Sequence, residues 1–84
     1  MTEEILFTFP NTRRAIAGEK ALEAAGLSVS VMPMPEALSD QCGIVLRLPP
    51  TQMEAARAAL DAAGVEMRCV YRKQGDELVW LSGT

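Results

Sequence analysis

An α+β sandwich, with two helices covering one face of an antiparallel sheet, is the fold this sequence predicts, on three observations. Short apolar runs alternate with polar residues around positions 5–9, 27–31, 44–48 and 65–71, the period of half-buried strands. Two alanine-rich stretches of helical period separate them, each ending in glycine. These two stretches also resemble each other: positions 19–27 read against 57–65 at a constant offset of 38, with five of nine residues identical. A strand–helix–strand unit used twice accounts for all three.

Taken in order, Ile5, Phe7 and Phe9 form the core-facing side of a first strand that Pro10 stops. Asn11 or Thr12 then caps a helix running to about Ala25. Ile16, Ala17, the Lys20 stem, Ala21 and Ala24 are expected on its buried stripe, and Gly26 supplies the left-handed residue that ends it. Leu27, Val29 and Val31 give a second strand, ended by Pro33 and Pro35. The second unit opens with Ile44, Leu46 and Leu48 and stops at Pro49-Pro50.

Thr51-Gln52-Met53-Glu54 has the spacing of a capping box, in which the Thr51 hydroxyl and Glu54 carboxylate satisfy free amides at a helix start. The helix that follows buries Met53, Ala56, Leu60 and Ala63 and ends at Gly64. Val65, Met67, Cys69 and Tyr71 are expected on the core side of a fourth strand, which leaves Val70 on the other side. Lys73 to Asp76 reads as a turn, and Leu78 to Leu81 as a short extra C-terminal strand paired with the fourth. This βαββαβ order is ferredoxin-like, and residues 1–84 read as a single such domain. A small parallel sheet would need a crossover helix between Val31 and Ile44, and that stretch has no helical period.

Composition narrows the chemistry. The chain has 84 residues, a net charge of −3 and no histidine, which removes the commonest general base and the usual zinc ligand. Its two cysteines cannot close a metal site within one chain, and no resident cofactor or metal is expected. The basic residues are dispersed, so a nucleic-acid partner is not expected either. Met1 to Glu4 carries neither a basic region nor an apolar segment, so we expect no signal peptide, no membrane span and a cytoplasmic address where thiols stay reduced.

Chemistry concentrates in one loop, Ser39-Asp40-Gln41-Cys42-Gly43, which follows Met32-Pro33-Met34-Pro35. Cys42 sits where the chain turns, and Gly43 lets another molecule approach the backbone. In a ferredoxin-like sheet the first and third strands are adjacent, so Pro10 and Cys42 share one edge. The free amides from Asn11 and Thr12 onward, and the guanidinium groups of Arg13 and Arg14, then lie near the sulfur. A helix start with cations favours the thiolate over the thiol, whose free pKa is about 8.5. Asp40 opposes this.

Cys69 reads as a buried core thiol, and a Cys42–Cys69 bridge is not expected because Cys69 lies several residues into its strand. Met32 and Met34 read as gap fillers, and Trp80 as cover for the core edge. The open sheet face offers Leu6, Val45 and Val70 as an apolar interface patch.

Phe9-Pro10-Asn11-Thr12, Ala15, Glu19-Lys20-Ala21-Leu22, Gly26-Leu27, the Met32 to Pro35 run, and Ser39 with Cys42-Gly43 together resemble a family of small bacterial domains described as selenium or sulfur carrier protein-like. The resemblance spans about residues 4 to 71. Asp40-Gln41 departs from the small polar residues that family carries there. The resemblance implies a carrier, not a stand-alone enzyme: Cys42 holds a persulfide or selenosulfide between donor and acceptor proteins, with Gly43 and the Asn11 to Arg13 amides stabilising the anion. The competing reading is a ferredoxin-like interaction or regulatory module, in which the Leu6, Val45 and Val70 face makes a homodimer or docks on an enzyme and Cys42 is incidental. A metal held between subunits by paired Cys42 residues is the least favoured alternative.

Overall fold

A computed structural model of the chain describes residues 3–35, 38 and 43–83. Among them run β1 (Glu3–Phe7), α1 (Thr12–Ala24), β2 (Ser30–Pro33), β3 (Ile44–Leu48), a 3-10 turn (Pro50–Gln52), α2 (Met53–Ala62), β4 (Cys69–Gln74) and β5 (Glu77–Gly83). The strands form one antiparallel sheet in the order β2-β3-β1-β4-β5. Without β5 this is the ferredoxin-like order, with β5 added beside β4. The expected fold class is therefore the observed one.

Both helices pack on the sheet face carrying Ile5, Phe7, Leu46, Leu48 and Val70, and Phe9, Ala15, Leu22, Ala56 and Leu60 complete that core. The two halves end their helices identically. The Gly26 and Leu27 amides donate to the Glu23 and Leu22 carbonyls at 2.9 and 3.1 Å, and the Gly64 and Val65 amides to the Asp61 and Leu60 carbonyls at 3.1 and 2.9 Å. Both glycines have positive φ, 78° and 69°. This paired-bond ending satisfies carbonyls the helix leaves open and turns Leu27 and Val65 back toward the core. The offset of 38 seen in the sequence is thus repeated in hydrogen bonds.

Several details differ from expectation. The buried stripe of α1 is Ala15, Gly18 and Leu22, whereas Ile16, Ala17, Lys20 and Ala24 face outward. The cause is close approach at Gly18: a Cβ there would meet the Phe9 ring at 2.9 Å and Leu46 at 3.3 Å. Hydropathy gives no weight to a residue whose contribution is the absence of a side chain.

The Thr51–Glu54 capping box does not form, and α2 starts without a side-chain cap. Thr51 lies inside the 3-10 turn that Pro50 opens, so it lacks the extended backbone a cap needs. The neighbouring Gln52 Oε1 instead accepts from the Ser28 amide at 2.8 Å, tying α2 to the segment before β2.

The third difference is the phase of β4. Val70 pairs with Phe7 and joins the core, while Tyr71 pairs with Leu6 on the far face. Buried Thr8 explains the switch. The Arg68 amide donates to the Thr8 carbonyl at 2.7 Å, the Thr8 amide donates to the Cys69 carbonyl at 2.9 Å, and the Cys69 amide donates to Thr8 Oγ1 at 3.0 Å. One residue faces two, the count of a β-bulge, so the alternation set by Val65 and Met67 does not continue through Cys69.

Cys69 is buried as expected, but it opens β4. The argument against a Cys42–Cys69 bridge from depth along the strand therefore fails. The interface patch is also corrected. Leu6 and Val45 are fully buried and Val70 belongs to the core. β1 and β3 are interior strands, and the register flanks Leu6 with Arg47 and Tyr71, and Val45 with Met32, which are longer side chains. Trp80 pairs with Tyr71 on the face away from the helices and is 56% exposed, so it does not cover the core.

β4 and β5 meet in a two-residue hairpin, Gly75-Asp76, with Gly75 at φ 58°. At the far end of β5, Gly83 adopts φ 109°, and a Cβ there would collide with the Arg68 carbonyl oxygen. Gly83→Ala is expected to destabilise the fold by about 1–3 kcal/mol, from backbone strain together with the clash. Gly64→Ala, whose Cβ meets open space, should cost only about 1 kcal/mol. Urea denaturation of both variants checks the order.

Candidate functional site

Antiparallel pairing of Phe7 with Leu46 brings the end of β1, the start of α1 and the start of β3 to one end of the sheet. Phe9, fully buried under Gly18, fixes where the chain leaves the sheet, and Pro10 turns it. Asn11 is the N-cap: it is extended, and its Oδ1 accepts from the Arg14 amide at 2.9 Å. The Ala15 amide donates to the Asn11 carbonyl at 3.1 Å as the first intrahelical bond. Helix geometry gives the amides of Thr12 and Arg13 no intrahelical acceptor, and they face the approach to the helix start.

Asn11, Thr12, Arg13, Arg14 and Ala17 line an open concavity of about 690 Å³. All five are exposed. No acidic residue occupies the first turn, and neither Arg13 nor Arg14 has an ion-pair partner among the described residues. The helix dipole places roughly half a positive charge at this end, and both guanidinium groups add to it, an arrangement that costs stability and favours an anion. Other arginines of the sheet are compensated: Arg47 pairs with Glu4 at 3.2 Å and Arg72 with Glu3 at 3.8 Å.

Of the residues expected in the site, Asn11, Thr12, Arg13 and Arg14 lie together. Gly43 immediately precedes β3, at the same sheet end, and its carbonyl accepts from the Met34 amide at 3.0 Å. A Cβ on Gly43 would meet nothing within 4 Å, so packing does not demand glycine there. Ser39, Asp40, Gln41 and Cys42 lie outside the described residues. Ala17 was missed by the sequence reading. Its only signal is its place four residues after Arg13, on the same side of the helix.

Among the described residues no group of three or more His, Cys, Asp or Glu side chains is placed to hold a metal ion. No helix among them is long and apolar enough to cross a membrane. What the geometry offers is a water-open ledge whose charge favours an anion.

Fold and ledge thus define a small ferredoxin-like protein with a cationic helix start at one end of its sheet. The sequence profile of the family described as "Putative Se/S carrier protein-like" matches residues 4–72, and the chain belongs to that family. No curated protein and no solved structure matches it.

The charge at the helix start yields a test. Arg13→Glu and Arg14→Glu, singly, are expected to raise stability by about 0.3–1 kcal/mol at low salt, since each replaces an opposed charge with a favoured one. Asn11→Ala should lower it by about 1 kcal/mol through loss of the cap. Thermal and urea unfolding at two ionic strengths measure both.

Proposed function

We propose that the protein carries sulfur or selenium as a persulfide or selenosulfide on Cys42, between a donor protein and an acceptor protein. Membership of the carrier-like family supports this reading. The observation that carries it is the pair of cations Arg13 and Arg14, which have no ion-pair partner among the described residues, beside the first-turn amides at the sheet end from which β3 starts.

The chemistry is two thiol–disulfide-type exchanges. The Cys42 thiolate attacks the outer sulfur of a donor persulfide; a new S–S bond forms at Cys42, the donor's S–S bond breaks, and the donor cysteine leaves as thiolate. An acceptor thiolate then attacks the outer sulfur, and Cys42 leaves as thiolate. No electrons are gained or lost overall, so neither step calls for an oxidant or a resident cofactor.

In this reading the Thr12 and Arg13 amides, with the Gly43 amide, receive the terminal sulfur anion, and Arg13 and Arg14 supply its counter-charge. The open ledge admits the donor and acceptor. A cytoplasmic location, where cysteines stay reduced, fits such a carrier.

Intact-mass spectrometry after incubation with a persulfide donor tests the reading. Wild type and Cys69→Ser should gain one sulfur that a reductant removes, and Cys42→Ser should gain none. The double variant Arg13→Gln/Arg14→Gln should load roughly 3- to 30-fold more slowly, the loss of two helix-end charge interactions. Sulfur uptake on Cys69, or no uptake by folded wild type, contradicts the proposal.

A further inference from the structure

Among the described strands, two form the edges of the sheet, and they differ. β2 is four residues long and ends in Pro33, which lacks an amide hydrogen for a further pairing. β5 is seven residues long, contains neither proline nor lysine, and carries two of the exposed large apolar side chains among the described residues, Val79 at 42% and Trp80 at 56%, where β2 carries one, Val31 at 44%. A long apolar edge without proline or lysine is a template for pairing with another strand.

The hairpin fixes which groups point outward. In a two-residue hairpin the flanking pair, Gln74 and Glu77, is hydrogen-bonded, so the amides and carbonyls of Leu78 and Trp80 face away from β4. The register jumps from Tyr71–Trp80 to Val70–Ser82, leaving Leu81 as the extra residue of a bulge. Regular pairing is therefore available only along the first part of β5.

One self-pairing satisfies these constraints. Placing Val79 opposite Val79 of a second copy sets Leu78 against that copy's Trp80, and Glu77 against its Leu81. The outward amides and carbonyls of Leu78 and Trp80 then bond each other twice across a twofold axis, and side chains that meet share a face.

Charge selects the same register. Arg57 of α2 donates from Nη2 to Ser82 Oγ at 2.7 Å, while its Nε is buried without an acceptor and it has no carboxylate partner among the described residues. Glu77 lies on the helix-covered side by register and is likewise without an ion-pair partner among them. In the self-pairing, Glu77 of one copy falls beside Ser82 of the other, on the Arg57 side, and the twofold makes the match twice. We propose that β5 pairs antiparallel with β5 of a second copy about Val79, joining two sheets into one and pairing Glu77 with Arg57 across the interface.

Sedimentation of the wild-type protein under reducing conditions, across a concentration series, should show a monomer–dimer equilibrium. Val79→Lys, which sets like charges across the axis, should weaken it by about tenfold or more while circular dichroism remains native. Arg57→Glu should weaken it as well, and Arg57→Glu/Glu77→Arg should restore it. Val79→Cys in a Cys42→Ser background should form a dimer-linking disulfide on oxidation. A monomer at every concentration overturns the proposal. So does a dimer indifferent to Val79→Lys, or a charge swap without rescue. Sulfur loading by Cys42 is a separate readout, so either proposal can fail alone.

Discussion

The close approach of α1 to the sheet at Gly18 is the contact on which the remainder depends. The Phe9 ring lies where any side chain at position 18 would sit, and Leu46 of β3 closes the same space. Through this contact the helix is held low over β1 and β3, so that its start emerges at the end of the sheet where β3 begins. Without it, Asn11 to Arg14 would have no fixed relation to the segment leading into β3. Overpacking a site of this kind costs about 1–3 kcal/mol, and here it would also displace the ledge.

Economy of polar groups is the second theme. Thr8 is buried, yet its backbone and hydroxyl are engaged with Arg68 and Cys69. That arrangement lets β4 change phase and bring Val70 into the core. At the same open end of the hairpin, on β5, Gly83 passes so close to Arg68 that no side chain fits. The C-terminal hairpin is thus locked to the sheet by two backbone devices, and β5 presents its outer edge in a defined register.

Much of this was legible in the sequence. Element order, both helix ends at Gly26 and Gly64, a cap at Asn11 or Thr12 and the fifth strand beside the fourth follow from turn chemistry and period, and they are present, with Asn11 as the cap. What was not legible depends on residues meeting across the fold. Gly18 has no hydropathy to reveal a buried stripe, Thr8 gives no local sign that it will face two residues, and Gln52 reveals nothing of its bond to Ser28. The burial of Leu6 and Val45 likewise follows from their place on interior strands. In the candidate site, the Asn11 to Arg14 cluster followed from topology alone, whereas Ala17 needed the helix in place.

The central claim is that a cationic helix start activates Cys42. The most direct measurement is the pH dependence of Cys42 alkylation in Cys69→Ser protein, with and without Arg13→Gln/Arg14→Gln. The account predicts a thiol pKa below the free-cysteine value of about 8.5 that moves up toward it when the two charges are removed. A pKa at the free value in both proteins would contradict it.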